Sequence, residues 1–360
     1  MAKRLVVLAL SVALLVAFAP MSAPSHAQQL DSVLYVYNWG DYIDEALLIA
    51  YEQQFGVRVV YDNYATNEEL FAKLQAGAEY DVIFPSDYMV ARMIALNLLA
   101  KIDPANVPNR KYLDKQAVDT WYDPENYCVP YLWGTSGIAY HVSLEEPPDS
   151  WAALFDPEQV AKYTALGGIN VMDDQRELLG AVLLYLGFSA NSAERAELEQ
   201  ARDTLLRVVP EYRYFNSADY QETLLPAREV IISHAWNGNA AKAALLTRSE
   251  TYPNGEWKYI VPKEGGLRFQ ESACVTARSP RKATAEHFIN FLLQPENAAS
   301  ISNATGYLSP NVGARELIDP LLKEFLPSEE ELARLEWIRP LESDARRLWD
   351  EIWAEIRIGG

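Results

Sequence analysis

The segment from Val33 to Asp87, VLYVYNWGDYIDEALLIAYEQQFGVRVVYDNYATNEELFAKLQAGAEYDVIFPSD, decides the fold. Val33 to Tyr37 is a short apolar run rich in strand formers. From Asp44 to Phe55 the period changes: Leu47, Leu48, Tyr51 and Phe55 fall on one helical face, and Gly56 stops it. Strand character resumes from Val57 to Tyr64. Thr66-Asn67-Glu68-Glu69 is a capping box ahead of Leu70, Phe71 and Leu74, and Gly77 ends that helix. Asp81 to Phe84 is a short buried strand, and Pro85-Ser86-Asp87 opens a third helix. The order βαβαβ predicts an α/β fold with an open, mostly parallel sheet and helices on both faces.

A second series follows the aromatic link Pro130-Tyr131-Leu132-Trp133-Gly134-Thr135. Its pattern predicts helices over Asp174 to Leu186, Ser192 to Val208 and Ala240 to Thr247, with strands near Gly168 to Met172, Val230 to Ser233 and Tyr259 to Pro262. A further strand, Ser272 to Thr276, precedes a helix from Ala283 to Leu293. Two terminal helices are expected at about Glu329 to Glu336 and Ser343 to Ile356.

Residues 1–27 have the layout of a cleaved secretory leader: Lys3 and Arg4, an apolar run from Leu5 to Phe18, and Ser25-His26-Ala27 as a small-residue cleavage site. The product is expected to be exported and soluble. Loss of Lys3 and Arg4 takes the formal charge from -19 to -21. That balance disfavours nucleic acid and anionic membrane as partners, although acidity also serves solubility alone. In an oxidising compartment Cys128 and Cys274 could pair, and a bridge and two separate buried thiols both stay open from spacing.

Ligands in open α/β sheets bind beyond the carboxyl ends of the strands. Four such ends here carry one chemistry, ring or hydroxyl beside acid: Trp39-Gly40-Asp41-Tyr42, Ser86-Asp87-Tyr88, Asp173 to Glu177, and Glu271 after Arg268-Phe269-Gln270. Aromatic faces attract cations, and carboxylates accept charge-assisted hydrogen bonds from ammonium groups. Together they would receive an organic cation, with rings along its methylenes and acids at its charged ends. Taken singly, each element has a plainer use: Asp174 with Glu177 as a helix start, Ser86 or Asp87 as a cap, Trp39 and Trp236 as core indoles. Their convergence favours a site.

Catalytic and metal signatures are sparse. His141, His234 and His287 have no ligand-like spacing, and no H-E-x-x-H, G-x-S-x-G, Walker A or G-x-G-x-x-G is present. No cofactor is expected. The carboxylates Asp174 and Glu177 keep a secreted carbohydrate-binding protein or glycoside hydrolase as the alternative.

Over nearly all of residues 28–360 the motifs resemble the periplasmic spermidine- and putrescine-binding proteins of ABC importers, of the bacterial extracellular solute-binding type. The resemblance is carried by YNWGDYI at 37–43, VIFPSDY at 82–88, PYLWGTSGIAY at 130–140, DDQRE at 173–177, AWNGNA at 235–240, PKEGG at 262–266 and GYLSPN at 306–311. It implies a two-lobed type II periplasmic binding protein hinged by crossing strands. Residues 28–134 plus 271–315 would form the first lobe, and 135–270 plus 316–360 the second. If the crossing strands are antiparallel neighbours, Cys128 and Cys274 lie nearly opposite, which favours the bridge.

The ligand residues implied by the resemblance are Trp39, Asp41, Tyr42, Ser86, Asp87 and Tyr88 in the first lobe, and Asp174, Glu177, Trp236, Phe269, Glu271 and Tyr307 around the rest of the cage. Phe269 stands where the spermidine type has Trp, Glu271 where the family has Asp, and Ile338 where the spermidine type has Gln. The expectation is a non-enzymatic, monomeric periplasmic receptor. It would deliver spermidine or putrescine to a permease and ATPase complex.

Overall fold

In the computed structural model, which describes residues 29–118 and 120–359, β1 (Val33–Trp39) lies between β2 (Arg58–Tyr64) and β3 (Val82–Ile83) and runs parallel to both. The expected leader, residues 1–27, lies outside the described residues. The connecting helices follow from their caps. Asp44 accepts from the Ala46 amide to start Glu45–Phe55, and Gly56 ends it at φ 69°, a left-handed conformation that glycine adopts without Cβ strain. Thr66 caps Asn67–Gln75 through the Glu69 amide. The Glu69 carboxylate returns to the Ala65 amide, one residue before the position a full capping box would use.

After β4 (Leu99–Ala100) the chain enters β5 (Val129–His141), a 13-residue strand with nearly every residue buried. The second half supplies β6 (Ile169–Val171), β7 (Tyr214–Phe215), β8 (Ile232–Trp236) and β9 (Trp257–Ile260), then β10 (Gly266–Thr276) and β11 (Leu335–Trp337). The order along the main path is β2-β1-β3-β10-β5-β8-β6-β7. Within each half the strands β1 to β3 and β6 to β8 are parallel. The long strands β5 and β10 are antiparallel to each other and join the halves, with a register shift at Glu271/Ser272.

Helix Lys282–Leu292 returns to pack beside Glu45–Phe55, where Val36, Phe84 and Phe288 share one core. Helix Ser343–Gly359 packs in the other half, burying Trp349 and Ile352 with Trp151, Leu178 and Val182. Cys128 and Cys274 form a disulfide beside the β5/β10 ladder, with Cα atoms 4.5 Å apart. The fold is the two-lobed α/β architecture expected.

Two elements differ from the sequence pattern. β10 starts at Gly266, six residues before the expected strand, because both of its faces are covered and the apolar alternation is lost. The helix beginning at Glu329 stops at Leu332, and Leu335–Trp337 instead pairs in parallel with Gly266–Arg268. There a backbone ladder outweighs local helix propensity, which is a weak preference per residue.

Candidate functional site

The loop leaving β1 is held by its own amides and carbonyls. Buried Asn38 accepts from the Trp39 amide at 2.8 Å and donates to the Tyr42 carbonyl at 3.3 Å. Asp41 takes the left-handed region, φ 51°, which Asp tolerates better than most residues. The Trp39 indole donates to the Phe84 carbonyl at 2.8 Å, so the ring is anchored to the end of β3. Tyr131 on β5 donates to the Tyr42 carbonyl at 2.7 Å. These bonds fix Tyr42, whose hydroxyl donates to Glu271 at 2.8 Å. Ser86 adds a second donor to Glu271 at 3.1 Å, and is itself held by the Asn67 amide group.

The opposite wall comes from the second half. Asp174 caps helix Gln175–Tyr185, accepting from the amides of Arg176 and Glu177 at 2.9 and 3.0 Å. The Glu177 carboxylate accepts from Ser136 of β5 at 2.5 Å and from the Trp236 indole at 2.9 Å. Ring contacts then continue from Trp236 to Phe269, from Phe269 to Tyr307 and from Tyr307 to Tyr42, with centroids 6.3, 6.1 and 5.0 Å apart. Two glycines permit this packing. A Cβ on Gly134 would lie 2.5 Å from Phe269, and one on Gly238 would lie 2.3 Å from Tyr307.

These walls enclose a cavity of about 640 Å³. Of the twelve residues named from the sequence, Trp39, Asp41, Tyr42, Ser86, Tyr88, Asp174, Glu177, Trp236, Phe269, Glu271 and Tyr307 line it. Asp87 does not: it is buried, and its carboxylate receives the amides of Tyr88 and Gln270 at 2.5 and 3.2 Å. Part of the lining was not singled out in sequence: Tyr64 and Phe215 add rings, Glu69 an acid, and several amides add neutral polar groups. Asn216, Gln221 and Asn239 all face the cavity, and Asn239 accepts from Tyr307 while donating to Gln221. Their signal was present in the W-N-G-N stretch and in the loop after Phe215, but isolated amides at helix starts and in loops have many uses.

The electrostatics are uneven. Burial pushes Glu271 up to about 8, against the opposing hydrogen bonds from Tyr42 and Ser86. Burial and then the neighbouring Asp174 raise Glu177. Both glutamates are 4% exposed, yet among the described residues neither makes an ion pair. Arg176 also lines the cavity, but its guanidinium donates to the Arg339 carbonyl and to Asn191, with its carbon 4.8 Å from the Trp349 ring. The arrangement can hold positive charge at two places with aromatic surface between them. Among the described residues no cluster of His, Cys, Asp and Glu is suited to a metal ion.

The family model for the bacterial extracellular solute-binding protein matches residues 46–324. The chain belongs to this solute-binding family. This solute-binding protein is 32% identical to the spermidine/putrescine-binding periplasmic protein of Salmonella typhimurium, over 94% of its own length and 95% of the relative's. It is likewise 32% identical to the putrescine-binding periplasmic protein SpuD of Pseudomonas aeruginosa, with coverage of 94% and 95%. A solved structure of a putative spermidine/putrescine ABC transporter from Listeria monocytogenes superposes with a TM-score of 0.82 at 31% identity, covering 91% of this solute-binding protein and 99% of that chain. Among the described residues of this solute-binding protein no helix is long and apolar enough to cross a membrane.

Proposed function

We propose that this protein is the periplasmic receptor of an ABC importer and that it binds a polyamine, spermidine or putrescine, in the cavity between its lobes. The observation that carries this reading is the pair Glu177 and Glu271: two buried carboxylates, each held by neutral donors, without an ion-paired cation among the described residues. A buried charge lacking a partner is costly, and an ammonium group at each carboxylate removes that cost. Phe269, Tyr307, Trp236 and Tyr42 supply ring surface for the methylenes between. The relatives' binding of putrescine and spermidine, as their names state, supports the same ligand class.

On this reading the lobes comprise residues 28–134 with 271–315 and 135–270 with 316–360, and the ligand contacts are the eleven lining residues given above. A permease and ATPase complex would take the solute from a monomeric, non-enzymatic receptor exported by a cleaved leader. Asp87, occupied by two backbone amides, then supports the strand end that presents Ser86 and Tyr88. Calorimetry of residues 28–360 with putrescine, spermidine, spermine and a panel of sugars tests the proposal. Heat with the amines alone is the expected result; heat with sugars alone, or turnover of an oligosaccharide, would replace it with the carbohydrate reading.

A further inference from the structure

Lys242 brings a positive charge of the protein's own to the edge of the cavity. It lies on helix Asn237–Leu246, directly after the Trp236 wall, and its side chain is only 15% exposed. The ammonium donates to the Ala304 carbonyl at 2.6 Å, at the end of helix Pro295–Thr305, where unpaired carbonyls gather negative potential. It also meets the cavity-lining Asp41 at 3.4 Å and Glu222 at 3.5 Å. Three acceptors from separate parts of the chain converge on one ammonium. Asp41, alone among the carboxylates lining the cavity, has a lysine as its partner among the described residues.

The remaining acids are not equivalent. The Asp174 carboxylate is engaged by two amides of its helix, and Arg357 approaches Asp173 at 3.3 Å. Among the described residues Glu177 and Glu271 are the buried acids of the cavity lining, and neither makes an ion pair. A diamine supplies one ammonium to each. A triamine must place a third ammonium; of the other lining acids, Glu69 already accepts from the Ala65 amide and the Tyr37 hydroxyl, and Asp41 faces Lys242, whose like charge repels it.

We propose that Lys242 determines ligand charge in this protein, pairing with Asp41 so that the cavity takes a diamine in preference to a triamine. Deepening the polyamine reading above, this assigns specificity to a residue that does not itself line the cavity. Replacement by glutamine keeps an N–H for the Ala304 carbonyl and removes the charge, freeing Asp41 for a third ammonium.

The test is calorimetry with putrescine and spermidine on wild type, Lys242→Gln, Lys242→Arg and the double variant Lys242→Gln with Asp41→Asn. Wild type is expected to bind putrescine more tightly than spermidine. Lys242→Gln is expected to improve spermidine binding about tenfold relative to putrescine, Lys242→Arg to retain the wild-type ratio, and the double variant to lose the gain because the freed acid is gone. An unchanged ratio in Lys242→Gln, a gain that survives in the double variant, or a wild type that prefers spermidine overturns the role of Lys242 and leaves polyamine binding standing. Absence of heat with either amine in wild type overturns the polyamine reading itself.

Discussion

Tyr42 and Glu271 lie 229 positions apart in sequence and meet through a 2.8 Å hydrogen bond from the tyrosine hydroxyl to the carboxylate. The tyrosine arrives from the loop after β1 and the glutamate from the register shift inside β10, so a strand end and a strand interior each fix one partner. Tyr42 is placed by its own carbonyl, which receives both Asn38 and Tyr131. Its donation stabilises the charged form of Glu271 against the burial that opposes it.

Replacement Tyr42→Phe removes that donor while keeping the ring against Tyr307. Hydrogen bonds to charged groups contribute about 1.5 to 3 kcal/mol, so putrescine or spermidine affinity is expected to fall about tenfold or more near neutral pH. Calorimetry checks this, and an affinity equal to wild type would show that the ligand does not meet the Glu271 carboxylate.

Glu271 also sets a pH dependence whose sign is fixed. Burial raises it from its ordinary 4.5 to about 8, so between those values the folded protein holds a proton that the unfolded chain does not. Its contribution to the stability of the unliganded protein is therefore full below about pH 4.5 and is lost as pH rises through about 8. Polyamine binding runs the other way, because a cation requires the carboxylate form. Affinity should rise by up to about tenfold per pH unit for each proton displaced as pH goes from 6 to 8. Calorimetry in buffers of different ionisation enthalpy would detect the released proton; a flat profile across this range contradicts the assignment.

Gly238 tests the ring wall without touching a charge. Its missing side chain leaves room for Tyr307, since a Cβ would come within 2.3 Å of that ring. Gly238→Ala should push Tyr307 out of its place and weaken polyamine binding by about tenfold or more, while circular dichroism stays that of the wild type. Undiminished affinity would remove Tyr307 from the ligand's surroundings.

The disulfide makes a prediction about stability alone. Cys128 and Cys274 are 146 positions apart, and closing so long a loop restricts the unfolded chain strongly. Replacing both with alanine should lower unfolding stability by about 2 to 5 kcal/mol, seen as a lower denaturant midpoint. Binding measured below the unfolding transition should persist, because neither sulfur lines the cavity.

The first helices and strands were legible because their stop signals are local: Gly56 ends one helix and Thr66 starts the next, whatever packs around them. β5 and β10 were only partly legible, since strands buried on both faces carry no alternation, and β11 depends on an edge that only the folded chain creates. The rings and acids of the cavity stood out because four sequence stretches repeat them, although the structure places the fourth, Phe269 with Glu271, inside β10 and not at a strand end. Asn239 and Gln221 did not stand out, because a single amide in the first turn of a helix or in a loop has no comparable signature. Lys242 was hidden for a different reason: its significance lies in Asp41, Glu222 and Ala304 reaching it from remote positions. Asp87 shows the reverse case, an acid in the right motif whose carboxylate is taken up by the backbone.

The covalent link beside β5 and β10 has a mechanical consequence for the strands that join the two halves. With Cys274 tied to Cys128 only three residues from Glu271, the two strands cannot slide past one another. A slip of a single residue would turn Glu271 to the opposite face of the sheet and take it out of the cavity. The clasp excludes that error. Bending and twisting of the paired strands remain possible, and through either one Glu271 keeps the same side of the sheet and the same cavity.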